Sequence, residues 1–114
     1  YQWRNDKAAV TGKFATVTSP LSADTLTLTY AATPNSSMYA VESPDAIEPA
    51  DPCAYTAFRY PENNKSAGVV FGGNATDHWR SIVLAIPFET IIETPRRTKL
   101  MQMILNYLLQ PAAF

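Results

Sequence analysis

The most regular alternation of hydrophobic and polar positions runs from Thr25 to Tyr30. Leu26, Leu28 and Tyr30 fall on one side, and Thr25, Thr27 and Thr29 on the other. A period of two is the pattern of a half-buried antiparallel strand, here with its threonines toward water. Cys53 to Tyr60 repeats it, with Ala54, Thr56, Phe58 and Tyr60 on one side and Tyr55, Ala57 and Arg59 on the other. Ala8 to Thr18, rich in Val, Thr and Phe, reads as a first strand with Gly12 marking a bulge. Met38 to Val41 reads as a short strand, and Ala67 to Phe71 as a short apolar one. Turn chemistry separates these runs at Ser19 to Asp24, Pro34 to Ser37 and Pro61 to Ser66. Gly72 to Asp77 reads as a glycine-led hairpin loop into Trp79.

The end of the chain follows a different pattern. Ile82-Val83-Leu84-Ala85-Ile86 is apolar at every position, as in a strand covered on both faces, so we expect it in the middle of the sheet. Thr94-Pro95 has the chemistry of a helix start, with Thr94 as N-cap and Pro95 first in the helix, and Pro111 is its stop. Arg96 and Arg97 fall at the positive end of the helix dipole, a placement that Glu89 or Glu93 can offset. Leu100, Met101, Met103, Ile104, Leu105, Tyr107, Leu108 and Leu109 form an apolar band wider than one buried stripe. The width fits contact with a second layer, a neighbouring domain or another copy of the chain, or a close seat in a curved sheet. The expected fold class is α+β: a mostly antiparallel sheet of about five to seven strands with one C-terminal helix packed on it, in a single domain.

Composition narrows the partners. A chain of 114 residues that is 46% hydrophobic can bury a core. Its net charge of -1 offers no cationic surplus for phosphates, which argues against nucleic acid. No apolar run reaches the ~18 residues of a membrane-spanning helix. There is no signal-peptide pattern, and the first residue is Tyr1 rather than Met. We therefore expect a trimmed or excised piece of a longer protein. The single cysteine, Cys53, excludes an internal disulfide and reads as a small apolar residue near a strand start.

Candidate chemistry is sparse. Cys53, His78 and Glu89 can be written as a nucleophile, base and acid, but Cys53 follows Pro52 and opens a strand, without the sharp turn into a helix that exposes a nucleophile. Glu42, Asp45, Glu48 and Asp51 are carboxylates in a proline-rich stretch without calcium-loop spacing, and read as a solvated, extended loop. No metal site or cofactor is implied, and Gly72-Gly73 does not lead into a phosphate-cradling helix. The sequons Asn35-Ser36-Ser37, Asn64-Lys65-Ser66 and Asn74-Ala75-Thr76 read as polar turns. The remaining candidate is a sugar platform. Tyr55, Tyr60 and Trp79, with Tyr39, offer flat faces, and Arg59, Asn63, Asn64 and Asp77 offer a hydrogen-bonding rim. The ligand-binding residues expected from this reading are Tyr55, Arg59, Tyr60 and Trp79.

Phe58 to Val69, reading FRYPENNKSAGV, is followed by Ile86-Pro87-Phe88-Glu89-Thr90-Ile91 and an amphipathic helix. With Asp45-Ala46-Ile47-Glu48-Pro49, these stretches are similar to the C-terminal region of xanthan-lyase-like secreted proteins of Bacteroidetes, over roughly Asp45 to Leu109. There the segment resembles the closing part of a class I glutamine-amidotransferase-like, flavodoxin-like domain whose earlier units lie upstream. The resemblance implies a secreted, periplasmic or cell-surface protein concerned with carbohydrate. It carries over no catalytic residue, because the nucleophile elbow is absent and His78 is followed by Trp79 and Arg80 rather than by the usual glutamate.

The combined expectation is a non-catalytic accessory or structural domain of a secreted polysaccharide-processing protein. The alternative is the C-terminal portion of a xanthan-lyase-like or amidotransferase-like enzyme whose active site lies upstream. Expected partners are upstream domains of the parent chain, a polysaccharide, and a second copy docked through the C-terminal helix.

Overall fold

Seven strands and one α-helix are seen in a computed structural model that describes residues 1–34 and 38–110. The expected turn residues Asn35 to Ser37, with their sequon, and the expected stop at Pro111 lie outside the described residues. The strands are β1 (Gln2–Asn5), β2 (Lys13–Thr16), β3 (Thr27–Thr29), β4 (Ala46–Glu48), β5 (Ala54–Arg59), β6 (Ser66–Phe71) and β7 (Ser81–Leu84). A single-turn 3-10 helix at Phe88–Thr90 leads into α1 (Thr94–Leu108). The fold is α+β, with antiparallel ladders throughout. A flavodoxin-like closing segment would instead bring parallel ladders.

The main sheet has five strands in the order β3-β2-β5-β6-β7, and β1 and β4 form a separate pair. This order corrects the placement of the apolar run. Ile82 to Leu84 belongs to β7, which is an edge strand and is half-buried along its length. The strand enclosed from both sides is β6, buried from Ser66 to Val70. Its register explains the enclosure. Val69 pairs with Val83, and Val70 with Ile82, so alternate rows of side chains point to opposite faces. Val69, Phe71 and Val83 share one face with Tyr1, whereas Ile82 and Leu84 lie with Met101 and Ile104 of α1 on the other.

The β1–β4 pair covers the first of these faces, with β4 lying against β6. Neither strand is evident in the sequence, because β1 is a polar arm and β4 is a three-residue strand between Pro44 and Pro49. The carboxylate stretch expected to be a solvated loop thus contributes Ala46 and Ile47 to the core. Conversely, Met38 to Val41 is not a strand. Ala8 to Thr11 precedes β2, and Gly12, at φ 80°, sets the turn into it. The Gly12 carbonyl still accepts the Tyr30 amide at 2.8 Å, so the hairpin ladder continues past the turn.

On the second face α1 buries Leu100 and Tyr107, with Ile104 packed between them. These positions are spaced four and three apart, the spacing of one helical stripe. Glu93, not Thr94, is the N-cap residue, and its side chain makes no cap bond. Its carboxylate instead accepts the Thr29 amide at 3.0 Å and the Thr29 hydroxyl at 2.9 Å. Among the described residues Arg96 and Arg97 form no ion pair with Glu89 or Glu93. Arg96 donates to the Thr27 carbonyl at 2.6 Å and Arg97 to that of Ile91 at 2.7 Å. The start of α1 is therefore fastened to the β3 edge of the sheet. Phe14, Tyr30 and Phe58 form the aromatic centre of the core, Phe14 lying 5.9 Å from Phe58 and 6.3 Å from Tyr30 between ring centroids.

Candidate binding cleft

The residues expected to form the sugar platform do not meet. Tyr60 is fully enclosed, and its hydroxyl donates to the Asp45 carbonyl at 2.6 Å. Burial pushes its phenol well above the usual range, so the ring is a core element with no face for a ligand. Arg59 turns back on its own hairpin and donates to the Asn64 carbonyl at 2.8 Å. Asn63 is spent on the same turn, accepting the Lys65 amide and donating to the Ala8 carbonyl. Tyr55 is exposed, but it pairs with Val70 in the row that faces α1. There it lines a hollow of about 320 Å³ with Cys53, Arg80 and Gln110.

Trp79 alone of the four lies in a cleft on the opposite face. This cleft, of about 260 Å³, runs over the ends of β5, β6 and β7. Tyr1 and Trp79, exposed by 65% and 58%, stand around it. Phe71, Val69 and Val83 make its floor, and Asp51, Asp77 and Ser81 are its polar members. The Trp79 ring is braced by Phe71, with centroids 6.2 Å apart and planes tilted by 52°. The indole is thus held against a floor residue while more than half of it stays exposed.

Asn74 organises the acidic side. Its side-chain oxygen accepts the backbone amides of Thr76 at 2.9 Å and Asp77 at 2.7 Å, and its backbone N–H donates to the Asp77 carbonyl at 2.8 Å. This is an asparagine turn closed by the side chain. The Asn74 Nδ2 then reaches the Asp51 carboxylate at 3.2 Å. The other oxygen of Asp51 accepts the Cys53 amide at 2.7 Å. Asn74 thereby ties the Asp51 carboxylate, ahead of β5, to the backbone of the β6–β7 loop that carries Asp77.

Chemically, the cleft combines flat apolar faces with hydrogen-bond acceptors. It suits a ligand that has C–H faces for stacking and hydroxyl groups to donate. The other candidate constellations fall apart. The His78 ring lies 3.3 Å from the Ala75 carbonyl, and Glu89 accepts the Tyr39 hydroxyl at 2.8 Å, so each is engaged away from Cys53. Among the described residues no three His, Cys, Asp or Glu side chains converge as metal ligands. Glu48 instead pairs with Arg4 at 2.7 Å across the β1–β4 ladder. No helix among the described residues is long and apolar enough to cross a membrane.

Searches of family models, curated proteins and solved structures return no match to this chain.

Proposed function

We propose that this chain is a non-catalytic accessory domain of an exported polysaccharide-processing protein, and that the cleft between Tyr1 and Trp79 binds neutral sugar. One observation carries the reading: two exposed aromatic rings and the two acidic residues Asp51 and Asp77 border the same concave surface. The aromatic faces supply stacking for pyranose C–H groups, and Asp51 and Asp77 accept hydroxyl protons. Two carboxylates disfavour an anionic ligand, because like charges meet without an intervening cation. The ligand class is therefore an uncharged glycan, with export and polysaccharide processing supplied by the family resemblance.

Affinity electrophoresis tests the proposal. The chain is run in native gels containing a neutral glucan or galactomannan, and in parallel gels containing xanthan. Retardation by a neutral polysaccharide, reduced in Asp77→Asn, supports the reading. Unchanged mobility in every gel removes it, and retardation by the acidic polymer alone contradicts the assignment of ligand class.

A further inference from the structure

The two edges of the main sheet are built differently. The β3 edge is sealed. Glu93 takes the Thr29 amide, the Ile92 amide donates to the Thr29 carbonyl at 2.8 Å, and Arg96 takes the Thr27 carbonyl. The β7 edge has a strand neighbour only on its β6 side. Along β7 the Ala85 amide donates to Ala67, in register with Val83 opposite Val69. By the alternation of an antiparallel ladder, the amides and carbonyls of Ile82 and Leu84 point away from the sheet. Charges, prolines and bulges are the usual protection of such an edge, and none occurs between Ser81 and Ile86.

Hollows flank this edge on both sides. One, of about 290 Å³, lies between Trp3 of β1, Asp45 and Ile47 and the run from Val83 to Pro87, Asp45 being its one acidic member. The other, of about 370 Å³, lies between Ile82, Leu84 and Phe88 and the outward residues Met101 and Leu108 of α1. An added strand would be covered on both faces, mostly by apolar side chains, so a strand apolar on both faces suits it.

We propose that β7 pairs antiparallel with the β7 of a second copy, across a two-fold axis at Val83. The strand that fits the slot is β7 itself, with Ile82 and Leu84 toward one face, Val83 and Ala85 toward the other, and no charge in the run. In this register Ile82 stands opposite the partner's Leu84, both with outward amides, so each offers the bonds the other lacks. Across such an axis Ser81 to Ala85 pair, and five residues at ~3.3 Å each, flanked by layers ~10 Å away, give a contact roughly 17 Å long and 20 Å deep. That is about 340 Å² of footprint per copy, below the ~800 Å² of a standard interface, so the pairing is weak and concentration-dependent. A two-fold axis perpendicular to the sheet keeps both β1–β4 layers on one face. The pairing does not depend on the sugar assignment of the cleft.

Sedimentation velocity and hydrogen exchange test the pairing. Wild type is expected at twice the 12.6 kDa of one chain. Its Ile82 and Leu84 amides should exchange at least tenfold more slowly as the concentration rises through the association range. Val83→Lys, which sets two ammonium groups face to face on the axis, should return the folded chain to monomer, whereas Val10→Lys on a distant exposed site should not. A wild-type chain that stays monomeric to millimolar concentration overturns the proposal. So does a dimer that persists in folded Val83→Lys, or one in which the Ile82 and Leu84 amides exchange freely. If Val83→Lys does not fold, the wild-type exchange data decide alone.

Discussion

Glu93 bonds twice to Thr29, through backbone amide and side-chain hydroxyl, across 64 residues of sequence. This one carboxylate ends the sheet at β3 and fixes where α1 begins. Glu93→Ala leaves the half-buried Thr29 amide without its acceptor. Hydrogen bonds to a charged group contribute about 1.5–3 kcal/mol, and partial exposure at this site places the expected loss near the lower end. Urea unfolding is expected to show a lower midpoint with an unchanged slope.

Gly68 has no room for a side chain. A Cβ there would lie 2.5 Å from the Phe58 ring and 3.2 Å from the Val83 carbonyl. Gly68→Ala is expected to destabilise by about 1–3 kcal/mol, the usual cost of overpacking a filled core. Thermal unfolding measures it.

Tyr60 separates packing from ligand contact. Tyr60→Phe keeps the ring and leaves the Asp45 carbonyl without its donor, at an expected cost of about 1 kcal/mol. Tyr60→Ala should cost about 3–5 kcal/mol, as aromatic truncations in a core do. Glycan affinity of folded Tyr60→Phe should equal that of wild type, read by the same gel assay.

Acid should release the loop that precedes β2. One oxygen of Glu62 accepts the Val10 amide at 2.9 Å, the Thr11 amide at 3.1 Å and the Thr11 hydroxyl at 2.9 Å. The Thr11 amide leads the causes that hold this carboxyl below its ordinary value of 4.5. A carboxyl depressed on folding contributes stability that is fully present above its unfolded pKa and is lost as pH falls through the folded one. Stability should therefore decline below about pH 4.5, and Glu62→Gln should flatten that part of the profile. Denaturant midpoints measured across the acid range check the sign.

The local parts of this fold are legible in the sequence. Leu28 and Tyr30 are buried while Thr25 and Thr27 face water, as their alternation demands. Leu100, Ile104 and Tyr107 are the stripe that α1 turns inward from its wide apolar band. What could not be read is which strands neighbour each other. An apolar run such as Ile82 to Ile86 looks the same at a covered edge as at a sheet centre, because the covering layers come from residues far away in sequence. The β1–β4 pair is not legible for a related reason: Gln2–Asn5 carries almost no apolar pattern until Ile47 lies opposite Trp3. The cleft is assembled from Tyr1, Asp51, Asp77 and Trp79 by tertiary packing alone. Trp79 is legible by its residue type. Asp51 and Asn74 had no local signature beyond turn chemistry, although the Asn74-Ala75-Thr76-Asp77 spacing is that of a side-chain-closed turn.

The sharpest comparison is between two exposed aromatics on opposite faces of the sheet, Trp79 in the cleft and Tyr55 outside it. Isothermal titration with a soluble neutral oligosaccharide should show affinity reduced by about tenfold in Trp79→Ala, the loss of ~1.4 kcal/mol expected for a stacking ring. Tyr55→Ala should bind as wild type does. Equal affinity in wild type and folded Trp79→Ala, or a loss in Tyr55→Ala instead, would contradict the placement of the binding site.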